Sequence, residues 1–217
     1  MTASAKQTMR TAVYVDGFNL YYRAVKGTPY KWLDIKALVA GLLRPENEIT
    51  CIRYFTADVS GRRDPGAPSR QNAYYRALRT IPELVIHKGR FLVSDKWAAL
   101  AAPPSRFVNP SPVTVYVVKT EEKGSDVNLA SYLLADAFRN QFDVGLVLSN
   151  DTDLVEPIRM ATQELGKRIG LVCPSPKPAR SLTRVATFLR HITAARLAAA
   201  QFPDAISGTN IRKPAIW

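Results

Sequence analysis

Four aspartates follow short apolar, β-branched runs of this sequence. Three come directly after their run, and the fourth follows its run by a short polar loop, where a helix is expected to begin. Because like charges that gather at one place repel one another unless a cation intervenes, such a group favours a hard divalent ion, Mg²⁺ or Mn²⁺. A metal held in this way can activate water for phosphodiester hydrolysis. The four candidates are Asp16, Asp126, Asp151 and Asp153.

Each of these aspartates also has an ordinary structural explanation. Asp16 could begin a turn with Gly17, and the other three could cap the helices that start beside them, a contact worth about 1 kcal/mol. Helix capping and metal ligation are compatible uses of one carboxylate. The functional interpretation therefore depends on whether all four side chains reach the same place in the fold.

The elements that would bring them together are short apolar runs that alternate with amphipathic stretches. This alternation predicts an α/β fold with a mostly parallel sheet, which binds ligands beyond the carboxyl ends of its strands. The predicted strands are residues 12–15, 51–55, 84–87, 113–118, 144–149 and 169–173. The predicted helices are residues 33–43, 70–80, 126–140, 153–165 and, near the C-terminus, about 181–201.

Length and composition predict one domain. A chain of 217 residues with 47% hydrophobic and 22% charged residues fits a single α/β domain over residues 12–202. Residues 1–11 and 203–217 are predicted to be flexible.

No apolar run approaches the roughly 18 to 20 residues that a membrane span requires. With no segment typical of a signal peptide and with Cys51 and Cys173 in apolar runs, we expect a cytoplasmic protein with buried thiols.

The charge of the chain favours a polyanionic partner. The formal net charge is +12, and residues 51–119 carry 11 basic and 4 acidic side chains, whereas residues 120–150 carry 2 and 5. Nucleic acid is the first expectation, with tyrosines that suit the unpaired bases of a single strand, and an anionic membrane surface is the second. A homodimer would give a longer basic groove. The candidate nucleic-acid contacts are Arg62, Arg63, Arg70, Tyr74 and Lys123, although ordinary solvated surface also explains such side chains.

Three motifs at these positions resemble the NYN domain family of PIN-like nucleases. They are VYVDGFNLYY (13–22), KGSDVNL (123–129) and VLSNDTDL (147–154), and the similarity spans roughly residues 12–173. The resemblance implies a PIN-like three-layer α/β/α fold and a metal-dependent ribonuclease. It further implies that Asp16, Asp126, Asp151 and Asp153 hold the metal, that Asn19 orients ligands or water, and that Ser149 and Asn150 support them.

One position departs from the family pattern. Many members carry another acid six residues after the equivalent of Asp126, where this chain has Tyr132. Asp136, ten residues after Asp126, lies about 80° from Asp126 around the helix at 100° per residue, so it is expected to be a poor substitute. The alternative function is therefore a catalytically weak RNA- or DNA-binding adaptor. A phosphoryl-transfer enzyme and a dinucleotide-binding oxidoreductase are disfavoured, the first because no D-x-D follows the first strand and the second because no G-x-G-x-x-G follows any strand.

Overall fold

The computed structural model describes residues 8–62, 64–101 and 114–217. The strands are β1 (Met9–Asp16), β2 (Asn47–Thr56), β3 (Leu84–Lys88), β4 (Arg90–Ala99), β5 (Thr114–Lys123), β6 (Val144–Leu148), β7 (Arg168–Cys173) and β8 (Phe188–His191). The α-helices are α1 (Gly17–Leu20), α2 (Ile35–Ala40), α3 (Ala67–Leu78), α4 (Ser125–Phe138), α5 (Val155–Arg159), α6 (Arg180–Val185) and α7 (Ala194–Ala199). Short π-helical segments at Tyr21–Val25 and Met160–Glu164 extend α1 and α5, and a 3₁₀ turn at Thr152–Leu154 precedes α5.

The centre of the fold is a six-stranded sheet in the order β3-β2-β1-β6-β7-β8, with every pair of neighbours parallel. The chain first runs from β1 outwards through β2 to β3, and later returns to the other side of β1 with β6. The strand order therefore reverses between β1 and β6. At such a switch point the loops that leave the two strands diverge, and the crevice between them is the usual ligand site of an open α/β sheet.

Apolar clusters cover both faces of this sheet, which confirms the predicted three-layer α/β/α fold. Val13 and Val15 of β1 face one cluster, which is completed by side chains from α2, α3 and α7. Ala12 and Tyr14 alternate with them and face a second cluster, completed by α4, α5 and α6. The uninterrupted apolar run in β1 follows from this burial on both sides, because neither set of alternating side chains meets water.

The predicted strand at residues 113–118 does not belong to the parallel sheet. From Thr114 onwards the structure places it in β5, which pairs antiparallel with β4 as a separate two-stranded sheet; residue 113 lies outside the described residues. Tyr116 and Val118 are exposed whereas Val115 and Val117 are partly buried. An alternation of this kind is typical of a two-stranded ribbon with one wet face rather than of a covered central strand.

The predicted C-terminal helix at about 181–201 is also wrong. The structure divides it into α6, β8 and α7, and β8 extends the sheet by pairing with β7. The Phe188 ring lies over Gly170, where a Cβ atom would come within 2.2 Å of that ring. The apolar spacing of this region fits a helix face, but pairing with the open edge of β7 overrides the local pattern.

Parts of both terminal segments that the sequence predicts to be flexible are packed in the structure. Strand β1 begins at Met9, inside the segment predicted to be flexible, and residues 1–7 lie outside the described residues. In the predicted tail, Trp217 packs on Trp32 with 5.6 Å between ring centroids, and Ile211 is buried. These apolar side chains add the last residues to the domain. No helix in the described ranges is long and apolar enough to cross a membrane.

Candidate metal-binding active site

Asp16 ends β1 and lies almost fully buried, with 5% of its surface exposed. One carboxylate oxygen accepts the Asn19 backbone N–H at 2.9 Å and so caps α1, and the other accepts the hydroxyl of Ser149 at 2.8 Å. Burial raises the Asp16 pKa, and the two hydrogen bonds oppose that rise. Asp16 therefore serves both as the N-terminal cap of α1 and as a carboxylate of the candidate site.

Gly17 is required by the close approach of β2. A Cβ atom at this position would lie 2.7 Å from the Phe55 carbonyl oxygen and 2.8 Å from the ring and hydroxyl of Tyr54. The absence of a side chain lets the chain turn directly after Asp16 into α1. The D-G pair in the first motif thus reflects packing against β2.

Ser149 links the ends of the two strands at the switch point. It follows β6, is fully buried, and accepts the backbone N–H of Asp151 at 3.1 Å while it donates to Asp16. Asp151 in turn accepts the backbone N–H of Asp153 at 3.0 Å and caps the short 3₁₀ turn. Asp151 is partly buried and Asp153 is exposed. One chain of hydrogen bonds therefore fixes the backbone that carries three of the predicted aspartates.

Asn19 and Asn150 hold the loops around this crevice. The side-chain oxygen of Asn19 accepts the backbone N–H of Asn150 at 3.0 Å. The Asn150 side chain donates to the Lys177 carbonyl oxygen at 3.2 Å and accepts the Ala179 N–H at 2.8 Å. The two asparagines thus join α1, the loop after β6 and the loop after β7, which are contacts that position the site.

Asp126 reaches the same crevice from the first turn of α4. Gly124 precedes that helix with φ of +101°, a left-handed conformation that favours glycine. Burial raises the Asp126 pKa to about 6, and the further causes of the rise are the charges of Asp16, Asp151, Glu122 and Asp153. The structure therefore brings all four predicted aspartates into one electrostatic cluster.

Glu122 is the member of this cluster that the sequence interpretation missed. Its carboxylate accepts the hydroxyl of Ser125 at 2.6 Å and the Ser125 backbone N–H at 3.2 Å, and its charge raises the pKa of both Asp16 and Asp126. Its neighbour Glu121 instead pairs with lysines of β5. The only sequence signal was the acidic pair that precedes K-G-S-D, and the pair alone does not tell which glutamate faces the aspartates.

The cluster is open. Within the described residues, no three Asp, Glu, His or Cys side chains are close enough to form a ready-made metal cage. The neighbouring carboxylates nevertheless raise the pKa of Asp126, and Asp151 and Glu122 also raise that of Asp16. The acidic side chains therefore interact electrostatically without forming such a cage.

The predicted nucleic-acid contacts differ in their exposure and in their ion pairs. Arg62 is exposed, and Arg63 lies outside the described residues. Arg70 forms an ion pair with Asp64. Lys123 ends β5 directly after Glu122 and is half-exposed, with its Nζ 3.6 Å from Glu121.

Tyr74 is not the surface platform that the sequence suggested. Its hydroxyl donates to the Leu33 carbonyl oxygen at 2.8 Å, and its ring packs against Trp32, Tyr54 and Trp217. The ring also lines a cavity of about 510 Å³ that begins at Gly17, beside the acidic cluster. Tyr74 thus faces this cavity rather than the outer surface.

Tyr132, in place of the family acid, belongs to an aromatic and cationic stack. Its ring lies 4.3 Å from the His87 ring and 4.4 Å from the Arg53 guanidinium. Asp136 is buried, binds Arg53 at 2.8 Å and accepts the hydroxyl of Tyr14 at 2.9 Å. Asp136 is therefore committed to a structural ion pair and does not replace the missing acid, as its position on the helix predicted.

Comparison with known proteins gives the class to which this protein belongs. The NYN domain model matches residues 10–193, and the chain belongs to the NYN domain family, whose members are generally nucleases.

Among individual proteins, the chain is 33% identical over 240 residues to the 6-hydroxy-3-succinoylpyridine 3-monooxygenase of Pseudomonas putida (strain DSM 28022 / S16). The match covers 97% of this chain and 74% of that protein. A solved structure of a protein of unknown function from Vibrio parahaemolyticus RIMD 2210633 is similar in fold. Its TM-score is 0.55 at 18% identity, over 88% of this chain and 98% of the other.

Proposed function

We propose that this protein is a metal-dependent ribonuclease that cleaves single-stranded RNA. The observation that carries the proposal is the cluster at the switch point, where the Asp126 pKa is raised by burial and by four neighbouring carboxylates. A group of like charges in a half-buried crevice is stabilised by a cation. Family membership and the net charge of +12 support a nucleic acid as substrate.

The donor set suits Mg²⁺ or Mn²⁺. Asp16, Asp126, Asp151 and Asp153 offer only oxygen ligands, and Mg²⁺ characteristically takes one or two carboxylates and keeps several waters. When bound, the ion would lower the pKa of a water and stabilise charge on a phosphoryl oxygen. We expect hydrolysis to leave 5′-phosphate and 3′-hydroxyl ends.

The side chains of the protein have separate tasks in this proposal. The Ser149 hydroxyl and the Asn19 backbone N–H hold the Asp16 carboxylate in one orientation. The lone pairs that these two hydrogen bonds leave free are therefore fixed in direction. Asn150 keeps the surrounding loops in register. We expect Lys123, which directly follows Glu122 at the end of β5, to contact a phosphate of the bound strand.

The test is cleavage of labelled single-stranded RNA in Mn²⁺. Asp16→Asn and Asp151→Asn should each lose more than about 100-fold in rate, since even groups that only support metal ligands are worth about 10- to 100-fold. Asp204→Asn, at an exposed carboxylate in the C-terminal segment, is the matched control and should cleave normally. Full activity in excess EDTA, or in either site variant, would contradict the proposal.

Tyr132 is the observation that favours a second candidate, a catalytically weak nucleic-acid-binding adaptor. Its ring is held by His87 and Arg53, so no acid enters the cluster from that position. An adaptor should shift the same RNA in a gel, lose affinity steeply with salt through counterion release, and leave the strand intact in Mn²⁺.

The monooxygenase relative brings a third candidate, the oxidation of a small heteroaromatic acid. The observation that favours it, besides similarity along 97% of the chain, is the aromatic cavity beside Asp16. The direct test is equilibrium binding of 6-hydroxy-3-succinoylpyridine to the metal-free protein. Tight binding without RNA cleavage would favour this candidate over the ribonuclease.

A further inference from the structure

A cavity of about 510 Å³ opens next to the acidic cluster, and aromatic rings form much of its wall. Phe18 and Tyr21 contribute from the segment that follows Asp16, Tyr54 from β2, Tyr74 from α3, and Trp217 from the C-terminal segment. The volume lies within the range of small-molecule sites. Flat rings on several sides favour a flat ligand, because stacked and edge-to-face contacts both need planar partners.

The cavity adjoins the cluster through Gly17. Gly17 lines the cavity and directly follows Asp16, and the Tyr54 hydroxyl lies beside it. A group bound against Tyr54 would therefore lie one residue away from a candidate metal ligand. The wall of the cavity thus includes the residue that directly follows Asp16.

Unpaired polar groups line this mainly apolar space. The Tyr54 hydroxyl makes no hydrogen bond within the described part of the chain, and burial raises the Tyr54 pKa, so the phenol keeps its proton as a donor. The indole N–H of Trp217 is buried without a partner among the described residues. A buried donor without a partner is uncommon in folded proteins, and a ligand with acceptor atoms would satisfy it and would also accept from Tyr54.

The rim of the cavity carries positive charge. Lys31 and Arg70 both line it, and Arg70 is held by Asp64 on the α3 side. By contrast, the Gln71 side chain is already hydrogen-bonded, because its amide donates to the Ala57 carbonyl oxygen and accepts the Val59 N–H. Asp64 also lines the cavity and neutralises Arg70, so Lys31 is the charge that suits a phosphate flanking a base in a strand.

From these observations we infer that the cavity binds one unpaired base of the RNA, next to the phosphate that lies at the acidic cluster. The inference rests on the proposed function and adds its substrate feature. A base has a planar face for the rings, acceptor atoms for Tyr54 and Trp217, and a flanking phosphate for Lys31. A base held in a duplex cannot enter, so the cavity selects single strands.

The test is an abasic scan of a short oligoribonucleotide. One base at a time is removed, and affinity is measured by fluorescence anisotropy in EDTA, so that no strand is cut. Stacking on aromatic side chains predicts that one abasic position, and that position alone, weakens binding by about 5- to 150-fold. Tyr21→Ala, at a partly exposed ring of the cavity wall, should reduce this position-specific loss. Phe138→Ala, at an exposed ring at the end of α4, should leave it unchanged.

The outcomes separate the inference from the function on which it rests. A flat abasic profile in the wild-type protein, or a profile that Tyr21→Ala does not change, overturns the base-binding cavity, and Mn²⁺ cleavage of the intact strand would still support the ribonuclease. A single sensitive position without cleavage in Mn²⁺ supports the cavity and overturns the ribonuclease.

Discussion

The Ser149 hydroxyl donates a 2.8 Å hydrogen bond to the Asp16 carboxylate across the point where the strand order reverses. The bond joins the end of β1 to the loop that follows β6, two segments 133 residues apart in sequence. Both partners are buried, so neither can exchange the contact for water. The orientation of the central carboxylate is therefore set by the packing of the sheet.

We expect Ser149→Ala to lower both stability and activity. The change leaves the Asp151 N–H without its acceptor and removes one donor from Asp16, and a buried group without its partner costs about 1 to 3 kcal/mol. Urea denaturation should show this loss, and Mn²⁺-dependent cleavage should fall about 10- to 100-fold, as for other groups that support metal ligands. Ser131→Ala, at an exposed serine of α4, is the control. Equal midpoints for the two variants would contradict the prediction.

The raised pKa of Asp126 predicts a pH-dependent effect on stability in the absence of metal. The pKa is about 6 in the folded protein against an ordinary value of 3.8, so the folded state holds the proton more tightly. The resulting stabilisation is fully present below pH 3.8 and is lost as the pH rises through about 6. Above that range the ionised carboxylate opposes folding.

Asp126→Asn should therefore raise the Tm above pH 7 in EDTA, and the difference from wild type should shrink towards pH 4. Thermal denaturation across this range measures both. Addition of Mn²⁺ should stabilise the wild-type protein and not the variant, because the cation compensates the charge that the variant lacks. A Tm difference that is constant with pH would contradict a raised Asp126 pKa.

Glu122 and Glu121 offer a matched pair of adjacent carboxylates. Glu122→Gln removes a charge that raises the Asp126 pKa, so the Asp126 carboxyl should titrate at lower pH, which NMR of the side-chain carboxyl group can follow. Glu121→Gln removes the same charge from a side chain that pairs with Lys119, and it should leave Asp126 nearly unchanged. Equal shifts in both variants would place Glu122 outside the cluster.

The ion pair of Asp136 with Arg53 should contribute to stability and not to chemistry. Asp136→Asn leaves a largely buried guanidinium without its counter-charge, and loss of one partner of a buried pair costs about 3 to 5 kcal/mol. Asp143→Asn, in an exposed pair with Arg10, should cost less than about 1 kcal/mol. Urea denaturation compares the two. A similar small cost for both would mean that the buried pair is not needed for the fold.

The parallel sheet and the aspartates at its edge could be predicted from the chain. The run at 12–15 is apolar without alternation, and the structure buries it on both faces. Asp16 and Asp151 each follow such a run, so parallel pairing alone brings them to one edge. These inferences needed only local pattern and one topological rule.

Local pattern and topology could not predict three features: the role of Glu122, the cavity, and the path of the C-terminal segment. Glu121 and Glu122 are adjacent and chemically alike, and only the pairing of β5 with β4 decides that Glu122 faces Asp126. Similarly, Phe188 fits a helical spacing until β7 offers an open edge for pairing.

The sequence by itself determined which residue types follow the central strands, because burial on both faces requires runs of apolar side chains and makes the end of each run visible. The tertiary structure alone decided which further groups meet them. Long-range pairing of strands decides the direction in which a side chain points. The local sequence around a charged or aromatic residue is the same whether that residue faces water, a carboxylate or a cavity.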